Sequence, residues 1–216
     1  MANLRNKVSV KLVEIVSAVL LFCFSGSWVK NIFANNPIVF FVILLFYILL
    51  VFQNVLKKNF IKQLLVFLFI VLTVFQLTST NVKNIYSINP TEKDLRITRM
   101  NYYPPTQFKL GYYLENKREV VFLEKIEANF FDTIDFNQYF PSYFYIFLVP
   151  FFFLGTYFFF KDKQKLSGWL FLTSILILTI LGIHGNLGPV LIIPFFIFII
   201  WLGIAGVLKY LKIYAK

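Results

Sequence analysis

The sequence predicts an all-α integral membrane protein: a six-transmembrane-helix bundle with a helical extracytoplasmic segment between the third and fourth spans. Three observations carry this expectation. Of the 216 residues, 59% are apolar and only 14% charged, against about 25% charged in an average soluble domain. A soluble fold of this length cannot bury so much apolar surface, and so apolar a chain does not stay disordered. Apolar runs of the roughly 20 residues that cross a bilayer recur six times, and the basic residues beside them alternate in a regular way.

The first span covers about residues 10–29. Lys11 and Glu14 lie three apart near its start, so they share a helix face and pair, or snorkel to headgroups. Residues 1–24 also read as a signal sequence with a small-residue cleavage site at Ser25-Gly26-Ser27. The two charges fit that poorly, and an uncleaved helix is the expectation. Trp28 is placed at the membrane interface, where amphipathic rings are favoured. The second span, 37–56, opens on Pro37, suited to a first helical position. The third is 60–79, the fourth 142–160, the fifth 166–183 and the sixth 188–208. Pro150 with Gly155 in the fourth, and Pro194 in the sixth, are expected to kink their helices. Gln53, Asn54 and Gln76 are polar residues near span ends. Thr73, Thr173, Ser174 and Thr179 are compatible with hydrogen bonds between helices.

Orientation follows from charge. Arg5, Lys7, Lys11, Lys57, Lys58, Lys62, Lys161, Lys163, Lys165, Lys209, Lys212 and Lys216 all fall on one side of a six-span threading, and only Lys30 falls in the short loops opposite. Twelve to one is a strong positive-inside bias, which places both termini in the cytoplasm. Residues 80–141 hold eight basic and eight acidic side chains, so the net charge of +11 comes wholly from the loops and tails around the spans. That charge marks topology and contact with membrane lipids; no basic face is gathered in one domain, so nucleic acid is not an expected partner. The reading is a bacterial inner (plasma) membrane protein, with an organelle membrane as the open alternative. Phe is abundant, with 29 residues, alongside Ile, Asn, Lys and Tyr. This is what AT-rich coding produces among lipid-compatible residues, so no aromatic binding device is read from it.

The 62-residue segment 80–141 is too long for a plain turn. Asn89-Pro90-Thr91 with Glu92 and Asp94 marks a helix start, acids lying at the positive end of the helix dipole. That helix stops before Pro104-Pro105. A second is expected from Pro105 to about Asn116 and a third over about 117–131. In the third, Phe122, Leu123, Ile126, Phe130 and Ile134 form one apolar stripe, with Lys117 and Glu124 opposite and Glu119 intruding at the start. This helix is expected to lie along the membrane surface or to pack on its neighbour as a cap. The strings Tyr103-Pro104-Pro105, Leu110-Gly111, Leu114-Glu115, Asn129-Phe130-Phe131 and Asp135-Phe136-Asn137-Gln138-Tyr139-Phe140 resemble an uncharacterised group of small bacterial polytopic membrane proteins. The resemblance implies that the outer segment is a defined unit, and it implies no activity.

Candidate chemistry is sparse. One Cys (Cys23) and one His (His184) exclude an intramolecular disulfide and a Cys/His zinc site within the chain; Cys23 reads as a small hydrophobe in an apolar run. Asp132, Asp135 and Asn137 offer oxygens for a hard cation but lack calcium-loop spacing, so no metal or other cofactor is expected. Glu115 and Glu119, four apart on a plausible helix, are the candidate acid–base pair. His184, in the His184-Gly185-Asn186-Leu187-Gly188-Pro189 turn, is the candidate proton carrier. No phosphate loop, dinucleotide fingerprint, metalloprotease motif or nucleophile elbow is present. No ionisable side chain lies near a bilayer midplane, which weighs against a proton-coupled pump. The expected function is therefore a non-catalytic cell-envelope scaffold or complex subunit that contacts a protein partner through residues 80–141. The first alternative is a membrane enzyme acting on a lipid-linked envelope substrate at the outer face, with Glu115, Glu119, Asp132, Asp135, Arg96, Arg99 and His184 supplying the acid–base and anion-binding groups. The second is a small channel or uncoupled transporter.

Overall fold

Apolar runs become helices because their backbone polar groups must pair internally wherever water is excluded. In the computed structural model, which describes residues 16–56, 59–80, 88, 90–161, 165–183 and 185–214, every described element is helical. These elements are α1 (Val16–Phe24), α2 (Trp28–Asn35), α3 (Pro37–Leu56), α4 (Asn59–Ser79), α5 (Pro90–Asn101), α6 (Phe108–Asn116), α7 (Arg118–Ile134), α8 (Phe136–Tyr139), α9 (Val149–Lys161), α10 (Lys165–Leu181) and α11 (Ile193–Tyr214). A 3-10 turn, Ile146–Leu148, leads into α9. Lys11, Glu14, Asn89, His184 and the side chain of Asn54 lie outside the described residues.

The chain is all-helical as expected, but six membrane spans are not shown. Among the described residues, α4 is the one helix both long and apolar enough to cross a membrane, and two such segments result if α1 and α2 count as one bent span. The runs are interrupted for identifiable reasons. The first bends by 81° between α1 and α2. There Ser25 Oγ donates to the Phe22 carbonyl and accepts from the Trp28 indole N–H, so the break carries its own hydrogen bonds. It also docks on the stretch before α9: Tyr145 N–H donates to the Ser25 carbonyl and Ser27 Oγ to the Ser142 carbonyl. A Cβ at Gly26 would stand 1.8 Å from the Tyr143 carbonyl oxygen, so only glycine fits. Trp28, expected at an interface, is buried edge-on against Phe22 because its N–H closes this turn.

Pro150 and Pro194 do not kink helices. Each is the second residue of its helix, α9 and α11, where a missing N–H costs no intrahelical bond. The sixth run therefore starts its helix at Ile193, after a buried non-helical stretch from Gly188 to Ile192. With 17 residues, α10 is about 25 Å long, short of the roughly 30 Å apolar core of a bilayer.

The central element is α11, buried from its start through Leu202. It packs chiefly on α9 and also on α3, which in turn holds α4 and α2. The α9–α11 crossing is close because glycines meet there: a Cβ at Gly155 would lie 1.7 Å from the Ile199 carbonyl oxygen, and one at Gly203 would lie 2.0 Å from that of Phe151. Small residues at helix crossings let backbones approach in this way. The phenylalanines are not merely lipid-compatible filler. Phe140, Phe144, Phe152 and Phe196 interlock, with ring centroids 4.9–5.9 Å apart, within the range that favours aromatic pairs.

α4 and α10 are apolar on both faces, and their few polar side chains go inward. On α4, Phe60, Phe67, Ile70, Val74 and Leu77 face outward, whereas Gln76 is 0% exposed. On α10, Trp169, Leu172, Leu176 and Ile180 face outward, whereas Ser167, Ser174 and Thr179 are buried. The hydroxyls of Thr73, Thr173, Ser174 and Thr179 do not bridge helices as expected. They donate to carbonyls three or four residues back in their own helices, the shortest route to a partner for a short side chain.

Candidate functional site

The charged stretch from Pro90 to Ile134 folds as α5, α6 and α7, joined by short turns, and charges hold it together. α5 begins at Pro90 with Glu92 in its first turn and ends at Asn101, ahead of Pro104-Pro105. Arg96 and Arg99, one turn apart, face the next two helices. Arg96, 5% exposed, donates from Nη1 to the Glu115 backbone carbonyl on α6 and from Nη2 to Glu124 Oε2 on α7. Arg99 Nη1 reaches Glu124 Oε1 at 3.3 Å. Glu115 Oε2 sits 3.8 Å from Nη1 of both arginines and has no hydrogen-bond partner among the described residues. Lys125 Nζ pairs with Glu92 Oε2 at 3.5 Å. Two guanidiniums thus face two carboxylates, a balance that a buried cluster requires. The planar five-donor fork lets Arg96 serve α6 and α7 at once.

This arrangement separates the expected acid–base pair. Lys117 is extended, with φ −68° and ψ 127°, so α6 and α7 are two helices rather than one. Glu115, 7% exposed, points inward from α6, whereas Glu119 is exposed on the first turn of α7, where the helix dipole favours an acid. The Glu115 carboxylate faces two arginines and is engaged in holding α6 to α5.

The apolar stripe of α7 does not pack either. Leu123, Phe130 and Ile134 are exposed and Phe122 and Ile126 half-buried, while Val121 and Thr133 are the buried positions. α7 rests on α10 and turns Glu124 toward α5. The demand of two arginines for carboxylates outweighs burial of the stripe, because an unpaired buried charge costs more than an exposed leucine.

Asp132, Asp135 and Asn137 do not assemble into a ligand set. Asp135 caps α8, its Oδ1 accepting from Asn137 N–H at 2.9 Å. Among the described residues no three His, Cys, Asp or Glu side chains converge for a metal ion. Asp132 and Asp135 instead bear on Tyr139, whose hydroxyl donates to the Thr133 carbonyl at 2.9 Å. Burial first, then the charges of Tyr143, Asp132 and Asp135, push the Tyr139 phenol up from its ordinary value. The folded protein therefore keeps this proton at a pH where the unfolded chain releases it. Stability is expected to fall as pH rises above about 10, the ordinary tyrosine value. Tyr139→Phe should make that alkaline decline shallower and cost about 1 kcal/mol at neutral pH, both read from thermal unfolding in detergent across a pH series.

His184 lies outside the described residues, but its surroundings do not. Asn186 N–H donates to the Ser79 carbonyl at 3.4 Å, and a Cβ on Gly182 would lie 3.0 Å from Asn129 Oδ1. The turn between α10 and α11 therefore sits between the end of α4 and α7. Cys23 is exposed on α1. Gln76, legible in the sequence only as a polar residue near a span end, is buried with neither amide atom partnered among the described residues. The role of Arg96 as hub was hidden: its spacing from Arg99 was visible, but the residues it joins lie 19 and 28 positions away.

Comparisons of the chain with protein-family models, with curated proteins and with solved structures give no match.

Proposed function

We propose that this chain is a six-span integral membrane protein with both termini in the cytoplasm, acting as a non-catalytic cell-envelope scaffold or complex subunit. Its outer module, α5 to α7, contacts a protein partner through the exposed edge of α7: Leu123, Phe130, Phe131 and Ile134. The observation that carries the membrane part is the apolar exterior of α4 and α10, which in water would be a large exposed apolar patch, with Gln76, Ser167, Ser174 and Thr179 buried on their inner faces. Segments that a six-span threading assigns to one side also lie together: Ser25–Ser27 on 142–145, and Ser79 on Asn186. The shortness of α9 and α10 is compatible with spanning, because Lys161 and Lys165 at their adjoining ends are long enough to snorkel. The non-catalytic part is favoured by the commitment of Glu115 to an ion cluster and of Asp135 to a cap.

The test uses single cysteines in a Cys23→Ser background. Lys62→Cys and Lys165→Cys should react with an impermeant maleimide from one compartment and Asp135→Cys from the other. Reaction of all three from one side would end the topology. For the partner, Leu123→Glu with Phe131→Glu should abolish recovery of the bound protein from detergent-solubilised host membranes, while Glu119→Gln, Asp132→Asn and His184→Ala leave it intact. A single one of these last changes that removed function without affecting insertion would favour the envelope-enzyme reading.

A further inference from the structure

Contact between the outer module and a partner leaves one face unexplained. α6 touches α5 and α7 and little else. It turns only Gly111 and Glu115 inward, with the Tyr103 ring lying over Gly111. At 100° per residue, Tyr113, Lys109 and Leu110 lie on the opposite side, and all three are exposed, as are Phe108 and Tyr112. Tyr102, in the turn before α6, is 83% exposed.

Surface charge along residues 102–118 has one dominant sign. Lys109, Lys117 and Arg118 lie at the surface, while Glu115, the one acid among residues 102–118, is buried against Arg96 and Arg99. Glu119, the residue after Arg118, is the exposed acid beside them. Lys117 Nζ stands 5.1 Å from the Tyr113 ring centroid, close enough for a cation–π contact. Exposed tyrosines interleaved with basic residues form the side-chain mixture found at the headgroup level of a bilayer, rings in the boundary and ammonium groups reaching phosphate.

We infer that Tyr102–Arg118, with α6 at its centre, is an interfacial anchor that binds the anionic phosphate headgroups of membrane lipid. This rests on the six-span reading and deepens it: lipid holds the module at the outer surface, which leaves the α7 edge for the protein partner. The ion cluster of Arg96, Arg99, Glu115 and Glu124 then keeps α6 presented in that orientation.

The test reconstitutes the full chain, Cys23→Ser, in vesicles of phosphatidylcholine alone or with phosphatidylglycerol. An environment-sensitive fluorophore is placed on Leu110→Cys or, as a reference, on Leu176→Cys of α10. Nitroxide lipids should quench the Leu110 label from a shallow position and the Leu176 label from a deep one, and aqueous iodide should quench neither efficiently. With Lys109→Gln, Lys117→Gln and Arg118→Gln together, docking of the Leu110 label should weaken about fivefold per basic residue lost in the anionic vesicles only. If iodide quenches the Leu110 label and nitroxide lipid does not, while the Leu176 label behaves as expected, the anchor is overturned and that face is left to protein. Equal shallow quenching in both vesicle types, insensitive to the three substitutions, overturns headgroup charge as its basis. If neither label meets lipid, the six-span reading fails with it.

Discussion

Arg96→Leu is expected to unfold the outer module, at a cost of about 3 kcal/mol or more, the scale seen when one member of a buried charge cluster is removed. Arg96 donates to both α6 and α7 and is almost wholly buried. Without it, Arg99 is the one cation left to the Glu115 and Glu124 carboxylates among the described residues, and it lies at the rim with its side chain 52% exposed. Limited proteolysis should then cut between Pro90 and Ile134 while the rest of the chain stays resistant. Arg99→Leu should cost less than about 1 kcal/mol, because solvent screens an exposed pair. Arg96→Lys should fall between, since a single ammonium cannot reproduce the forked contact. If Arg96→Leu combined with Glu115→Gln and Glu124→Gln regains most of the resistance, the loss came from uncompensated charge. If it stays as sensitive as the single variant, the packing of the arginine stem was the larger contribution.

The second large effect lies at the α9–α11 crossing. Gly155→Val and Gly203→Val should each prevent the native packing of α11, because the first added carbon already overlaps a carbonyl oxygen on the facing helix. Even Gly155→Ala must part the two helix axes, and overpacking of this kind costs about 1–3 kcal/mol. Parting them once relieves both positions, so Gly155→Ala and Gly203→Ala together should cost less than their sum. Gly168→Ala is the control: no atom lies within 4 Å of a Cβ built there. A helical glycine replaced without a clash should raise stability by about 0.5–1 kcal/mol. Melting temperatures in one detergent, compared across these variants, check the order. A neutral Gly155→Val would show that α9 and α11 do not cross there.

Helix positions in the outer segment could be read locally. The acid in the first turn of α5 and the Pro104-Pro105 pair after it are short-range signals, and α5 occupies the interval between them. The boundary near Asn116 was read as well, and α6 ends there. Pairing Glu115 with Glu119 as four apart on one helix ran across that boundary, and the two helices direct them apart. The prolines misled in the opposite sense: Pro150 and Pro194 looked like kinks inside long apolar runs but stand at helix starts. Hydropathy averages over a run and cannot separate a helical residue from a buried turn such as 188–192.

The side a residue faces was the least accessible property. Periodicity found the stripe on α7 and left open whether it would meet the membrane surface or a neighbouring helix. The stripe stays outside, and Val121 with Thr133 goes in. Composition and spacing were enough to specify an apolar, all-helical chain with a charged helical insert, because those properties belong to each stretch separately. Whether a helix hides its polar or its apolar side depends on what waits across from it. Two arginines on α5 called carboxylates inward from α6 and α7, and glycines on α9 and α11 drew two backbones into contact, through pairings between residues far apart in the chain.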